Sequence, residues 1–215
     1  MWHRNARFVD RTDAGRQLGE QVRVMGLDDP IVLGLPRGGV PVAFEVSNAL
    51  LAPLDVLVAR KIGAPGHPEY GIGAIAEGGG VVYDEAVLAT IGISTQRFTT
   101  LVEAERGEMQ RRVQRYRGER TLAVRDRAVV LVDDGLATGL TAEAALKALR
   151  SMKPGRIVLA VPTCPPSVAD RLQALADDVV CVMTPSPFVA VGQWYDVFDQ
   201  TSDDEVISIL QLAGH

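Results

Sequence analysis

The sequence has only two cysteines and three histidines among its 215 residues, and neither set is spaced for metal or disulfide chemistry. Cys164 and Cys181 show no CxxC spacing and sit in or beside apolar runs, as small buried hydrophobes of a reducing compartment do. His3, His67 and His215 are too far apart for metal-ligand spacing. No apolar run approaches membrane-spanning length, and "MWHRNARFVD" lacks the apolar segment of a signal peptide. A soluble, cytoplasmic protein with no membrane contact is therefore expected. Positive charge is not in excess either. With 27 acidic against 22 basic residues the net charge is −5, which argues against a nucleic-acid surface spread over the molecule.

What is present suits a packed globular domain: 47% hydrophobic and 23% charged residues. Residues 10–25 place Ala14, Leu18, Val22 and Met25 at helical spacing, with Thr12 or Asp13 as cap. Short aliphatic runs at 31–35, 55–61, 81–84, 128–134, 156–162 and 179–183 predict strands. The intervening segments 40–51, 94–117, 139–150 and 165–176 predict helices, as does 203–212 at the end. Strands that do not alternate with polar residues, separated by helices, indicate an α/β fold with a doubly wound parallel sheet covered on both faces. Residues 63–80 carry seven glycines in eighteen positions, which predicts a mobile excursion rather than a packed element. Arginines and glutamates interleave along 94–117, and that pattern predicts a solvated helix face. No repeat, low-complexity segment or linker divides the chain, so one domain over 1–215 is expected, with a core of about 28–183.

Parallel α/β sheets place ligands beyond the carboxyl ends of their strands, so the chemistry is sought in the strand-ending loops. The most informative is "VVLVDDGLATGLTAEAA" (129–145). Gly135 and Gly139 allow a tight turn with inward amides; the next helix adds its unpaired N-terminal amides, and Thr138 and Thr141 add hydroxyls. Together these make a phosphate cradle. A phosphate needs no neighbouring carboxylate, so Asp133 and Asp134 address something else on the same ligand: vicinal hydroxyls, a divalent cation, or both. A phosphate at one end and a diol at the other describes a ribose 5-phosphate. No lysine of the GKS/GKT type follows the turn, which excludes a Walker loop.

An aliphatic strand, two acids and "xxxTGxT" resemble the ribose-phosphate loop of the type I phosphoribosyltransferases, which use 5-phosphoribosyl-1-diphosphate (PRPP). The adenine-specific version of that loop is the most similar. "GLPRGGVPVA" (34–43) resembles the family's pyrophosphate loop, "VLVARKIGAPGHPEYGIG" (56–73) its strand and closing flap, and "GQWYDVF" (192–198) its base-contacting aromatic segment. The resemblance covers roughly 28–200. It implies the family's fold, with the acidic loop central and a hood from 1–27 and 184–215.

The resemblance also implies a set of roles. Residues Asp133, Asp134, Gly135, Leu136, Ala137, Thr138, Gly139, Leu140 and Thr141 would hold the ribose phosphate. Pro36, Arg37, Gly38, Gly39, Arg60 and Lys61 would hold pyrophosphate. Asp133 and Asp134 would face Mg²⁺, and Phe188, Trp194 and Tyr195 would face the base. Arg37, Lys61, Glu69 and Tyr70 would act in catalysis, with His67 also in the flap. The expected partners are PRPP and a small heterocyclic acceptor, and the expected assembly is a homodimer. Ala137 stands where hypoxanthine-guanine enzymes carry a carboxylate; adenine enzymes use a flap glutamate, for which Glu69 or Glu77 is the counterpart. Two other readings stay open: a sensor of PRPP or nucleotides without turnover, and a PRPP or nucleotide hydrolase.

Overall fold

A computed structural model describes residues 7–214; His3 and His215 lie outside them, as do the side chains of Pro68 and Glu69. The strands are β1 (Pro30–Gly34), β2 (Leu54–Val56), β3 (Ala59–Ala64), β4 (His67–Ala76), β5 (Val81–Tyr83), β6 (Ala128–Val132), β7 (Arg156–Thr163) and β8 (Asp178–Met183). The helices are α1 (Arg11–Arg23), α2 (Gly39–Leu50), α3 (Glu85–Thr90), α4 (Thr95–Arg117), α5 (Leu140–Ser151), α6 (Pro166–Leu172) and α7 (Asp203–Leu212). Five strands form a parallel sheet in the order β2-β1-β6-β7-β8, which puts the acidic loop after β6 at the centre.

The unbroken aliphatic strands follow from two buried faces. Successive strand residues point to opposite sides. Leu33, Leu131 and Leu159 enter one core with α5 and α6, while Val32, Val130 and Val158 enter another with α1, α2, α4 and α7. Both cores are nearly dry, so a polar residue on either face would carry a desolvation cost. Helices α1 and α7 thus cover the sheet, burying Leu18, Val22, Val206 and Leu210. The cap of α1 is Asp10, which accepts from the Asp13 amide at 2.8 Å, rather than Thr12 or Asp13. No helix among the described residues is long and apolar enough to cross a membrane.

Two expectations fail here, for one physical reason. Residues 55–61 form two strands in different sheets, and the glycine-rich 63–80 is largely β-structure: β3, β4 and β5 make a three-stranded antiparallel sheet. The chain leaves the parallel sheet at Leu57 and Val58, which stay buried. There Glu77 replaces a neighbouring strand, accepting from the Val58 amide at 3.0 Å and donating its own amide to the Val58 carbonyl at 2.9 Å. The glycines give this small sheet room to pack on both sides. A Cβ on Gly73 would lie 2.8 Å from the Phe98 ring of α4, and one on Gly80 would lie 2.2 Å from the Ala144 carbonyl of α5. Counting glycines as breakers overlooks that use. The turns at 65–66 and 78–79, which join β3 to β4 and β4 to β5, are exposed.

The arginines of α4 are also less uniform than predicted. Arg106 and Arg111 pair with Glu103 and Glu108 on the solvated face, and Arg112 reaches Glu108 at 3.0 Å. Arg117, however, is buried. It donates to the Val56 carbonyl at 3.1 Å and pairs with Glu77. The short helix α3 and a 3-10 turn at Val191–Trp194 were not foreseen.

Candidate functional site

Strands β1 and β6 pair in parallel register over Pro30–Gly34 and Ala128–Val132, so their outgoing loops emerge side by side. The Leu35 amide donates to the Val132 carbonyl at 2.8 Å, holding the "PRGG" turn against the acidic loop; the Pro36–Arg37 peptide is cis. Both glycines of that turn are set by close approach to the acidic loop. A Cβ on Gly38 would lie 2.0 Å from Asp134 Oδ2, and one on Gly39 would lie 2.8 Å from the Asp133 Cα and the Val132 carbonyl. Gly39→Ala therefore forces backbone apart at the centre of the site. An unfolding midpoint in urea should show a loss of about 1–3 kcal/mol; an unchanged midpoint would mean that the turn gives way freely.

After β6 the chain makes the expected tight loop. Gly135 and Gly139 take φ of 152° and 73°, and Gly139 leads into α5. The Leu136 amide is used internally, donating to the Thr163 carbonyl at 2.9 Å. The amides of Ala137, Thr138 and Gly139 donate to no group among the described residues. They adjoin the unpaired amides of the first turn of α5, at the positive end of its dipole. Arg171 of α6, unmarked in the sequence, donates to the Thr138 carbonyl and pairs with Glu143, bracing the loop from behind.

The two acids part company. Asp133 lines a cavity of about 410 Å³ together with Pro36, Arg60, Lys61, Arg112 and Thr141. This brings the "PRGG" turn, the base of the small sheet and the cradle helix to one space. Arg60 there is held by Glu105 at 2.6 Å. Asp134 turns instead into a neighbouring cavity of about 460 Å³ with Arg11, Arg37, Gly38 and Phe198. Arg11 donates to Asp134 Oδ2 from Nε and Nη2 at 2.9 and 2.8 Å, and from Nη1 to the Asp199 carbonyl at 2.6 Å. Its guanidinium lies 4.0 Å from the centre of the Phe198 ring. Arg37 points into this second cavity, 3.8 Å from Asp203, which Arg115 and the Tyr116 hydroxyl also hold at 2.8 and 2.5 Å.

Burial raises both acid pKa values above the ordinary aspartate range. For Asp133 the adjacent Asp134 charge adds to the rise; for Asp134 the Arg11 guanidinium opposes it. Asp133 has no cation bonded to it among the described residues. Its Oδ1 accepts the Asp134 amide at 2.9 Å.

The remaining predicted residues spread around this centre. Tyr195 is buried between Phe8 and Phe198, and its hydroxyl donates to the Asp134 carbonyl at 2.6 Å, so it braces the acidic loop. Trp194 stands 6.0 Å from Phe188 and lines a cavity of about 640 Å³ with Thr184, Ser186 and Gln193; its indole N–H is buried with no partner among the described residues. Tyr70 and His67 border an apolar cavity of about 700 Å³ with Ile91 and Ile93. Although larger, that cavity has none of the carboxylates. Gly71 faces Lys61 and Leu140, so strand alternation turns Tyr70 to the opposite face of β4. Glu77 is consumed by Arg117 and Val58, which removes it as a flap acid or base. Sequence reading missed Arg11, Arg112 and Arg171, each of which comes from a distant element.

A parallel sheet whose central strand ends in an acid pair and a loop of unpaired amides, beside a second glycine-lined turn, is an α/β architecture with its candidate site at the carboxyl ends of β1 and β6. The model of the phosphoribosyl transferase domain matches residues 12–193, and the chain belongs to that family. A solved structure from Thermus thermophilus is 43% identical, covers 97% of this chain and 100% of its own, and superimposes with a TM-score of 0.80. Two Mycobacterium tuberculosis strains have a protein, provisionally named a phosphoribosyl transferase, that is 46% identical over 207 residues, 96% of this chain. The chain spans 47% of those curated relatives, about half their length.

Proposed function

We propose that the protein is a phosphoribosyltransferase that moves the 5-phosphoribosyl group of PRPP to a nitrogen heterocycle and releases pyrophosphate. The observation that carries this reading is one cavity shared by Asp133, the cradle residue Thr141, the Pro36 turn and the cations Arg60, Lys61 and Arg112. A sugar phosphate with a second anionic arm fits that arrangement; a simple anion leaves Asp133 unexplained.

In this reading the amides of residues 137–141 hold the 5-phosphate, with the loop braced by Arg171. Asp133 faces the ribose hydroxyls. Asp134 keeps Oδ1 for the same task, because Arg11 occupies only Oδ2. Bond breaking at the anomeric carbon leaves positive charge on the ribose and negative charge on pyrophosphate. The carboxylates stabilise the first, and Lys61, Arg60 and the "PRGG" amides the second. Arg37 approaches from the Asp134 side.

Mg²⁺ fits the donor set. Asp133 offers hard carboxylate oxygen, and no cluster of three protein ligands occurs among the described residues, which suits an ion held by one or two carboxylates and by substrate phosphates. When bound, Mg²⁺ would neutralise the departing pyrophosphate. The base would lie toward Phe188 and Trp194. For the small sheet to close over the acceptor, its tip would have to turn Tyr70 and His67 out of the apolar cavity that they border.

A thermal-shift titration tests the ligand. Mg²⁺–PRPP at about a hundred times its dissociation constant should add roughly 2.7 kcal/mol of stability. No shift at millimolar ligand would remove PRPP from the account.

A further inference from the structure

Cys164 and Cys181, unrelated in sequence spacing, meet in the fold with their sulphurs 2.9 Å apart. Cys164 follows the end of β7 and is buried in the apolar core under α6; Cys181 lies on β8, the edge strand of the parallel sheet, and is half-buried. Both are free thiols. A disulfide needs the sulphurs at about 2.05 Å, so closing the gap calls for a shift on the order of an ångström.

We propose that Cys164 and Cys181 form a redox-active dithiol site, oxidised to an intramolecular disulfide by hydroperoxides. Cys181 attacks first, because it is the member that solvent reaches. Its thiolate displaces the peroxide's leaving oxygen, giving a sulfenic acid and an alcohol, or water when the oxidant is hydrogen peroxide. The Cys164 thiol then attacks the Cys181 sulphur, loses its proton and expels the hydroxyl as water. Two thiols and one hydroperoxide thus become one disulfide, one alcohol and one water. The hydrogen bond with Cys164 lowers the Cys181 thiol below its ordinary pKa, while the same contact and burial raise that of Cys164. The order of attack follows from access: Cys181 is half-buried on the edge strand, whereas Cys164 is buried.

The site is coupled to the phosphate cradle by one residue. Thr163 precedes Cys164; its carbonyl accepts the Leu136 amide at 2.9 Å, and its methyl group would lie 3.1 Å from a Cβ on Gly135. Drawing Cys164 toward β8 pulls on that support, so oxidation loosens the loop at 133–141.

The test uses the reduced full chain, treated with hydrogen peroxide, alkylated under denaturing conditions and weighed intact. The expected product is a monomer that has lost both thiols and two hydrogens, reversed by dithiothreitol. Cys164→Ser should stop at a Cys181 sulfenic acid that dimedone captures, and Cys181→Ser should leave Cys164 unmodified. Two thiols still titratable, oxygen-added products alone, or a disulfide-linked dimer would overturn the site. Hydrogen exchange tests the coupling: peptides covering 133–141 should exchange faster after oxidation, and unchanged exchange would overturn it. Neither readout depends on PRPP binding, so this inference and the proposed activity can fail separately.

Discussion

Asp133→Asn combined with Asp134→Asn should lower pyrophosphate release by about 100- to 1000-fold or more, the usual effect of removing a group aimed at developing charge. The 5-phosphate is assigned to backbone amides and α5, which the substitutions leave in place, so ribose 5-phosphate binding should fall far less. Near-wild-type release by the double variant would remove the carboxylates from the chemistry.

Stability should move the other way in the single variant Asp133→Asn. Burial and the neighbouring charge raise the Asp133 pKa above its unfolded value, so the native state binds the extra proton. The contribution of Asp133 to stability is therefore most favourable below about pH 4 and is lost as pH rises from there through the raised native value. Asparagine, permanently neutral, escapes that loss. At neutral pH it should gain about 1 kcal/mol, the scale of relieving a strained functional site, and the advantage should vanish in acid. Equal urea midpoints at pH 7 would contradict the assigned burial cost.

Arg117→Ala should destabilise the fold by about 3–5 kcal/mol, because it strands Glu77 as a buried charge. Both side chains are nearly inaccessible, at 4% and 11% exposure, so solvent screening offers little relief. The pair ties the end of α4 to the Val56 carbonyl and, through Glu77, to Val58, where the chain crosses between sheets. Arg117→Met with Glu77→Leu should recover most of the loss, since apolar replacement of a whole buried pair is often neutral. A single-variant loss under about 1 kcal/mol would show instead that water reaches the pair.

These sites differ in how far the sequence discloses them. The acidic loop is legible because its parts are local: strand, two acids, two glycines and a helix start lie within seventeen residues, and tight-turn chemistry fixes their relation. The parallel sheet is legible from strands apolar on both faces. The small sheet is not, because Gly73 and Gly80 act through Phe98 and Ala144, which propensity does not see. Arg117 looks like its exposed neighbours on α4 until Glu77 is placed against it. Arg11 and Arg171 reach the acidic loop from elements more than thirty residues away, as the hydrogen-bond separations of 123 and 33 record. Tyr195, marked for a base, has its hydroxyl committed to the Asp134 carbonyl for the same reason.

The central claim is transfer of the phosphoribosyl group, and pyrophosphate release from Mg²⁺–PRPP tests it most directly. The protein is incubated with PRPP, Mg²⁺ and each of a panel of purines, pyrimidines and related nitrogen heterocycles, against a control without acceptor. The account predicts release that depends on one acceptor class and yields the matching ribonucleotide. Equal release with and without acceptor would make the protein a hydrolase, and PRPP binding without release across the panel would make it a sensor; either contradicts the transferase.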